Sequence, residues 1–319
     1  MPHNTLSLLT HYLDDALRVE LSKRVTHGGV RLEDVIRSGL CHPDSAVGVY
    51  APDAQSYGVF HELFDPILQN FRPPVRPRRE DLPCLNPTAV VSTRIRVARN
   101  LVGHAFTAGM SRPERLRVEA KIVRACGALA SHFPGWIREL TGIPSRKLDS
   151  LVLRRLAFGP HDKYMAAANI HADWPIGRSV FNTRNRQLTV WINEEDHLRV
   201  SVVMPGACVS ACAEVMALVM SSLAAHLDFC VDAQLRHLTS CPSNVGSAMR
   251  TSYMVDTRVN TSREPDLKRL ESVGLIQIRG SAGENSPPNG GLVDIGFRRR
   301  VGISAEHMLQ DMAMLVAMR

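Results

Sequence analysis

Two arginines, Arg94 and Arg96, stand two residues apart in a run where Val91, Thr93, Ile95 and Val97 alternate with Ser92, Arg94, Arg96 and Ala98. Period-two alternation predicts a strand, so both side chains leave one face, roughly 7 Å apart at the backbone. Guanidinium forks grip phosphate oxygens in pairs, and this spacing suits two phosphates of one ligand; a solvated polar face is the competing reading. Three adjacent carboxylates, Glu194, Glu195 and Asp196, follow the apolar run Leu188–Ile192, with Arg199 just beyond. They form either a solvated turn or a place where a carboxylate orients or deprotonates a cationic substrate while Arg199 holds phosphate. Cys241 opens a loop of small polar residues that ends at Arg250. The thiol is either structural or made reactive by a neighbouring cation, for which Arg250 is the candidate. The stretch from Arg279 to Gly291 contains Glu284 and reads as a disordered surface loop or a lid over a ligand. No Walker A or dinucleotide glycine pattern is present.

These residues need elements to hold them. Leu6, Leu9, Leu13, Leu17 and Leu21 recur at helical spacing and predict one helix over 5–23. Further helices are expected over 31–38 and after Pro52-Asp53, where Tyr57, Phe60, Phe64 and Leu68 share a face. Residues 72–87 hold Pro73, Pro74, Pro77, Pro83 and Pro87, too many for a packed element, and read as a linker. Beyond it the texture is mixed. Ser111-Arg112-Pro113-Glu114 is a capping box opening a helix to about residue 130. A strand is expected over 188–192, an apolar helix over 207–228, short strands near 251–256, 275–279 and 292–295, and a last helix from Ser304. Strands and helices without strict alternation indicate an α+β fold. The expected division is a helical N-terminal domain over 1–75, a linker over 76–88 and a catalytic domain over 89–319.

The chain has 319 residues, 45% apolar and 22% charged, which excludes wholesale disorder, collagen and a coiled-coil rod. Its longest apolar stretch, Ala207–Ala225, contains Glu214 and several serines, so a buried helix is expected and no membrane span. With no leader pattern at the N-terminus, and seven scattered cysteines without C-x-x-C, the expectation is a reduced, cytoplasmic protein. The net charge is +7, and nearly all the positive charge is arginine, with only five lysines. That bias favours anionic ligands, although base composition alone produces it too. Without a recognisable nucleic-acid module, no nucleic-acid partner is expected.

Together the motifs DSAVGVYAPD, FHELFDPIL, STRIRVARNL, DWPIGRSVF, VWINEEDHLRV, CPSNVGSAMR and RGSAGEN resemble, in order and spacing, the phosphagen (guanidino) kinases. The resemblance runs through almost the whole chain. It implies a small all-α N-terminal domain and a larger domain with an antiparallel β-sheet flanked by helices, the guanidino kinase or glutamine-synthetase-like arrangement. It implies ATP/ADP as the nucleotide, held by Arg94, Arg96, Arg199, Arg250 and Arg279, with Mg2+ carried by the nucleotide and no protein metal ligands. Glu195 and Glu284 fall on the positions that grip the substrate guanidinium, and Cys241 on the reactive cysteine. The loop with Ser45, Ala46, Val47 and Tyr50 falls on the guanidino-substrate loop. Its shortness and Glu284 resemble arginine kinases and imply L-arginine; creatine kinases carry a longer loop and lack that carboxylate. Another guanidino compound, protein arginine, or a nucleotide-binding member without turnover are the alternatives. Family members occur as monomers and homodimers.

The chain departs from the family pattern at Ala46, where glycine is usual, and at Met254, where a histidine stacks near the adenine. It also departs at 233–237, which lacks a glycine, and at Asn86-Pro87-Thr88 before the first arginine strand. None of these removes a charged catalytic group.

Overall fold

A computed structural model describes residues 7–72, 78, 82, 85–259, 264–272, 274–280, 291–298 and 300–316. Most of the proline-rich linker and residues 281–290 lie outside the described residues.

The N-terminal part is helical: α1 (Leu8–Tyr12), α2 (Asp15–Leu21), α3 (Leu32–Cys41), α4 (Ser56–Val59) and α5 (His61–Gln69). The single helix expected over 5–23 is two. Leu13 is extended and Asp14 caps a new start, its Oδ1 accepting from the Leu17 N–H at 2.8 Å. A side-chain cap satisfies backbone donors that a continuing helix would have used, so the leucine period survives while the axis breaks. Leu9, Leu21, Leu32, Ile36, Phe60 and Phe64 form the core of this part. That core is continuous with Phe106, Leu238, Val245 and Val301 of the sheet part, so the two parts share apolar contacts.

After β1 (Val90–Arg99) come α6 (Arg112–Leu129), β2 (Gly135–Glu139), α7 (Ser145–Leu153), α8 (Lys163–Ala167), β3 (Ser179–Thr183), β4 (Leu188–Ile192), β5 (Leu198–Pro205) and α9 (Val209–Ala224). The chain then forms a ribbon, β6 (Val231–Asp232) and β7 (Arg236–His237), followed by β8 (Met249–Asp256), α10 (Glu264–Ser272), β9 (Ile276–Gly280), β10 (Leu292–Phe297) and α11 (Ala305–Met314). Among the described residues, eight strands make one antiparallel sheet in the order β2-β3-β4-β5-β1-β8-β10-β9. The fold is α+β, a small helical part and a larger part built on an antiparallel sheet flanked by helices.

Side-chain alternation divides the sheet into two faces. Ile95 and Val97, Val190 and Ile192, and Leu198, Val200 and Val202 pack with Val118, Ile122, Cys212 and Val219 of α6 and α9. The opposite face is left for polar residues. The capping box of α6 is half realised. Ser111 Oγ accepts from the Glu114 N–H at 3.4 Å, but the Glu114 carboxylate turns to the Ala105 N–H at 3.0 Å. Among the described residues no helix is long and apolar enough to cross a membrane.

Candidate active site

The polar face of the sheet is the floor of a cleft. Strand register places Arg199 opposite Ala98, Ser201 opposite Arg96 and Val203 opposite Arg94. On the other side of β1, Arg96 faces Arg250 and Arg94 faces Ser252. The two arginines of β1 therefore do leave one face, and Arg94, Arg96 and Arg199 line the cleft with Thr189, Trp191 and Asp294. Burial pushes the Arg96 guanidinium well down, and Arg94, Arg250 and Arg199 push in the same direction.

Asp294 is the counter-charge at the centre. Its Oδ2 lies 2.8 Å from Arg94 Nη2 and 3.0 Å from Arg250 Nη2. Burial alone would raise this carboxyl, but Arg94 and Arg250 outweigh it and hold it below its ordinary value. Burial also brings Arg250 down to about 9, against the opposing pull of Asp294. Arg279 is in register with Asp294 across β9–β10, and its Nη2 donates to Gln277 Oε1 at 2.6 Å. Asp294 was not singled out from the sequence. A lone carboxylate inside the apolar run Leu292–Phe297 is the signal that marks it.

The three carboxylates after β4 are not a solvated turn. Glu194 is 9% exposed and Asp196 1%. The Arg199 fork spans Glu194 Oε1 at 2.9 Å and Glu195 Oε2 at 2.7 Å. Asn244 Nδ2 donates to the same Glu195 oxygen at 3.2 Å, and Arg300 donates to Asn244 Oδ1. Thr107 Oγ1 donates to the Glu195 carbonyl. The turn thus sits at the end of the arginine floor with its acid groups turned inward.

Cys241 lies beside it. Its Sγ is 3.1 Å from Ser243 Oγ, in the short 3-10 turn that also holds Asn244. The cation expected near the thiol, Arg250, makes its ion pair with Asp294. Cys241 packs in one apolar cluster with Tyr50, Ala108, Met165 and Ile170, and Val47 touches that cluster. The Ala51 N–H donates to the Ser240 carbonyl at 2.7 Å. So the loop from the helical part, the thiol and the Glu195 turn converge.

The loop is shaped by its own residues. Ser45 Oγ accepts from the Gly48 N–H at 3.0 Å, and Ala46 is exposed with its carbonyl accepting from the Leu8 N–H at 3.1 Å. Gly39 of α3 lies so close that a Cβ there would meet the Gly48 carbonyl oxygen at 2.5 Å, while Gly48 itself has φ +81°. From the sheet part, Lys163 Nζ lies 2.5 Å from Asp44 Oδ2 and Tyr164 Oη donates to the same oxygen at 3.1 Å. Glu284 lies outside the described residues, as does the stretch read as a lid. Among the described residues no group of three His, Cys, Asp or Glu is placed to hold a metal ion.

Comparison with known proteins bears on the family and the fold. Residues 3–69 match the model of the ATP:guanido phosphotransferase N-terminal domain, and residues 117–318 that of the C-terminal catalytic domain. The chain is 35% identical to an arginine kinase of Anthopleura japonica over 96% of its own length and 45% of the relative's. It is 30% identical to an arginine kinase of Penaeus monodon, covering 96% of this chain and 89% of that one. Among solved structures it is similar to the duplicated taurocyamine kinase of Schistosoma mansoni with bound transition state analogue components. The TM-score is 0.85 at 27% identity, over 98% of this chain and 45% of that one. The chain thus spans under half of two of these three proteins and most of the third.

Proposed function

The chain belongs to the ATP:guanido phosphotransferase family, and from that premise we propose that it transfers the γ-phosphoryl group of ATP reversibly to the guanidino group of L-arginine, giving phosphoarginine and ADP. The observation that carries this reading is the convergence of three features at one end of the arginine floor. These are the loop with Val47 and Tyr50, the Cys241 thiol, and the Glu195 turn.

Phosphoryl transfer needs alignment and charge stabilisation more than covalent chemistry. Arg94, Arg96, Arg199, Arg250 and Arg279 would hold the phosphate oxygens. Mg2+, carried on the nucleotide, would neutralise further phosphate charge. Glu195 would receive the planar substrate guanidinium through its carboxylate fork and take the proton that leaves the attacking nitrogen. Glu284 is proposed as the second carboxylate and Cys241 as a further contact to the guanidinium. Because Arg199 bonds both Glu194 and Glu195, the groups for donor and acceptor are held in fixed register. Ser45, Ala46, Val47 and Tyr50 would meet the amino-acid end of the acceptor. The likeness to arginine kinases supports L-arginine, and we place the proposed ATP-buffering role in the cytoplasm. The likeness to a taurocyamine kinase supports a second reading, another small guanidino acceptor.

The test is ADP release from Mg-ATP with L-arginine, taurocyamine, creatine or no acceptor. Turnover that requires L-arginine supports the first reading, and turnover with taurocyamine only supports the second. ATP binding without turnover on any acceptor would overturn both.

A further inference from the structure

The cleft is lined by three arginines besides Arg94, Arg96 and Arg199. Its wall is built by Arg154 and Arg155, just after α7, and by Arg186, in the turn between β3 and β4. None of the three has a carboxylate within ion-pair distance among the described residues, in contrast to Arg94, Arg199 and Arg250 on the floor. Arg155 and Arg186 both have left-handed backbones, φ 58° and 60°, a conformation uncommon outside glycine.

Their place along the cleft follows from register. The Glu195 end is marked by Arg199, opposite Ala98. Arg94 lies four residues along the same strand, about 13 Å away at ~3.3 Å per residue. Arg186 immediately precedes Gln187, whose carbonyl accepts from the Val203 N–H at 2.8 Å, and Val203 is opposite Arg94. Arg155 is within electrostatic reach of Arg94 and Asp294. The three wall arginines therefore stand at the end away from Glu195, beside Ser92, Val203 and Met254. All three are exposed at the rim of the cleft, where their charge raises the local concentration of anions.

We propose that Arg154, Arg155 and Arg186 form a second anion subsite, continuous with the triphosphate floor, that takes a phosphate group beyond a triphosphate. That group has two sources: the far end of a longer inorganic polyphosphate chain, or a phosphate on the ribose of a nucleotide. The inference rests on the reading of the floor as the triphosphate site, but its test needs no guanidino acceptor and no turnover.

The experiment is calorimetric binding of tripolyphosphate, long-chain polyphosphate, ATP, and ATP with a further phosphate on its ribose 3′ oxygen. Each is titrated into the full chain and into the triple variant Arg154→Ala, Arg155→Ala, Arg186→Ala. Within each protein the readout is the ratio of affinities with and without the added phosphate, so a general loss of affinity cancels. The expected ratio for the parent chain is at least about tenfold, the worth of one charge-assisted hydrogen bond, collapsing toward unity in the triple variant. A gain with the long chain identifies the inorganic source, and a gain only with the ribose phosphate identifies the nucleotide source. No gain with either, or a gain that survives in the triple variant, overturns the subsite. A single Arg186→Ala variant, in an exposed turn, provides the same readout should the triple variant fail to fold.

Discussion

The backbone N–H of Ser240 donates to Asp196 Oδ1 at 2.7 Å. Asp196 directly follows Glu195 and Ser240 directly precedes Cys241, so this bond fastens the carboxylate turn to the thiol segment. Asn100 Nδ2 donates to the same oxygen at 2.7 Å. Burial pushes the Asp196 carboxyl up, and these two bonds oppose the shift. Asp196→Ala would leave two buried donors unpaired, each worth about 1–3 kcal/mol. The expected outcome is lower stability by chemical denaturation and a fall in kcat, because the turn and the thiol segment lose their common anchor. Asp196→Asn keeps an acceptor at Oδ1 and should recover most of both; equal losses in the two variants would show that the anchor does not act through these bonds.

Glu195→Gln tests the acceptor end. If this carboxylate orients the guanidinium and takes its proton, kcat falls by about two to four orders of magnitude while nucleotide affinity stays nearly level. Steady-state rates and ADP titration measure the two separately. Parent-like turnover in Glu195→Gln would remove the residue from the mechanism.

Asp294 stands between Arg94 and Arg250, with side-chain exposures of 6%, 16% and 5%. Removing one member of a buried pair leaves charge uncompensated, so Asp294→Ala should destabilise the ligand-free protein by about 3–5 kcal/mol. Phosphate groups can supply the missing negative charge. Added ATP should therefore raise the melting temperature of Asp294→Ala more than that of the parent chain, a comparison thermal shift makes directly. The folded-state value of Asp294 is depressed, so its stabilisation is present above the unfolded value of 3.8 and is lost as pH falls through the lower folded value.

His197 is buried and neutral. Its Nδ1 accepts from the Leu101 N–H at 3.0 Å, and Nε2 lies 2.8 Å from the Ala105 carbonyl, which it meets as donor. Burial pushes it down to about 3 from 6.5. The unfolded chain therefore takes up a proton below pH 6.5 that the folded chain refuses. Stability should fall by about 1.4 kcal/mol per pH unit from this residue as pH drops from 6.5 towards 3. Denaturation midpoints at pH 7 and pH 5 measure it, and His197→Asn should flatten that part of the slope despite a lower stability at pH 7.

Local periodicity was enough for the longer, regular elements. The alternation around Arg94 and Arg96 placed both on one strand face, and Ser304 marks the start of the last helix, where its side chain accepts from the His307 N–H at 3.1 Å. The α+β class was legible for the same reason: apolar period depends on neighbours a few residues away. The break at Asp14 was not, because a helical leucine period does not reveal that a side chain has taken over the backbone's hydrogen bonds. Strands β2, β3, β5, β6 and β7 and helices α7, α8 and α10 were not legible either. They are short, or lie beside motifs that drew a turn reading.

The charged residues proposed for the chemistry were present in the sequence as types and spacings, and the order of its motifs resembled one family throughout. Which charges meet was decided only by the sheet. Antiparallel register brings Asp294 of β10 to Arg94 of β1 and Arg250 of β8, groups up to 200 residues apart. It also makes Glu194–Asp196 a buried turn, because the Arg199 fork and the Ser240 N–H compensate charge that a local reading leaves to water. The wall of Arg154, Arg155 and Arg186 belongs to the same class of fact. It exists because two separate turns fold over one sheet face, and electrostatics acts through distance in space, to which spacing along the chain is blind.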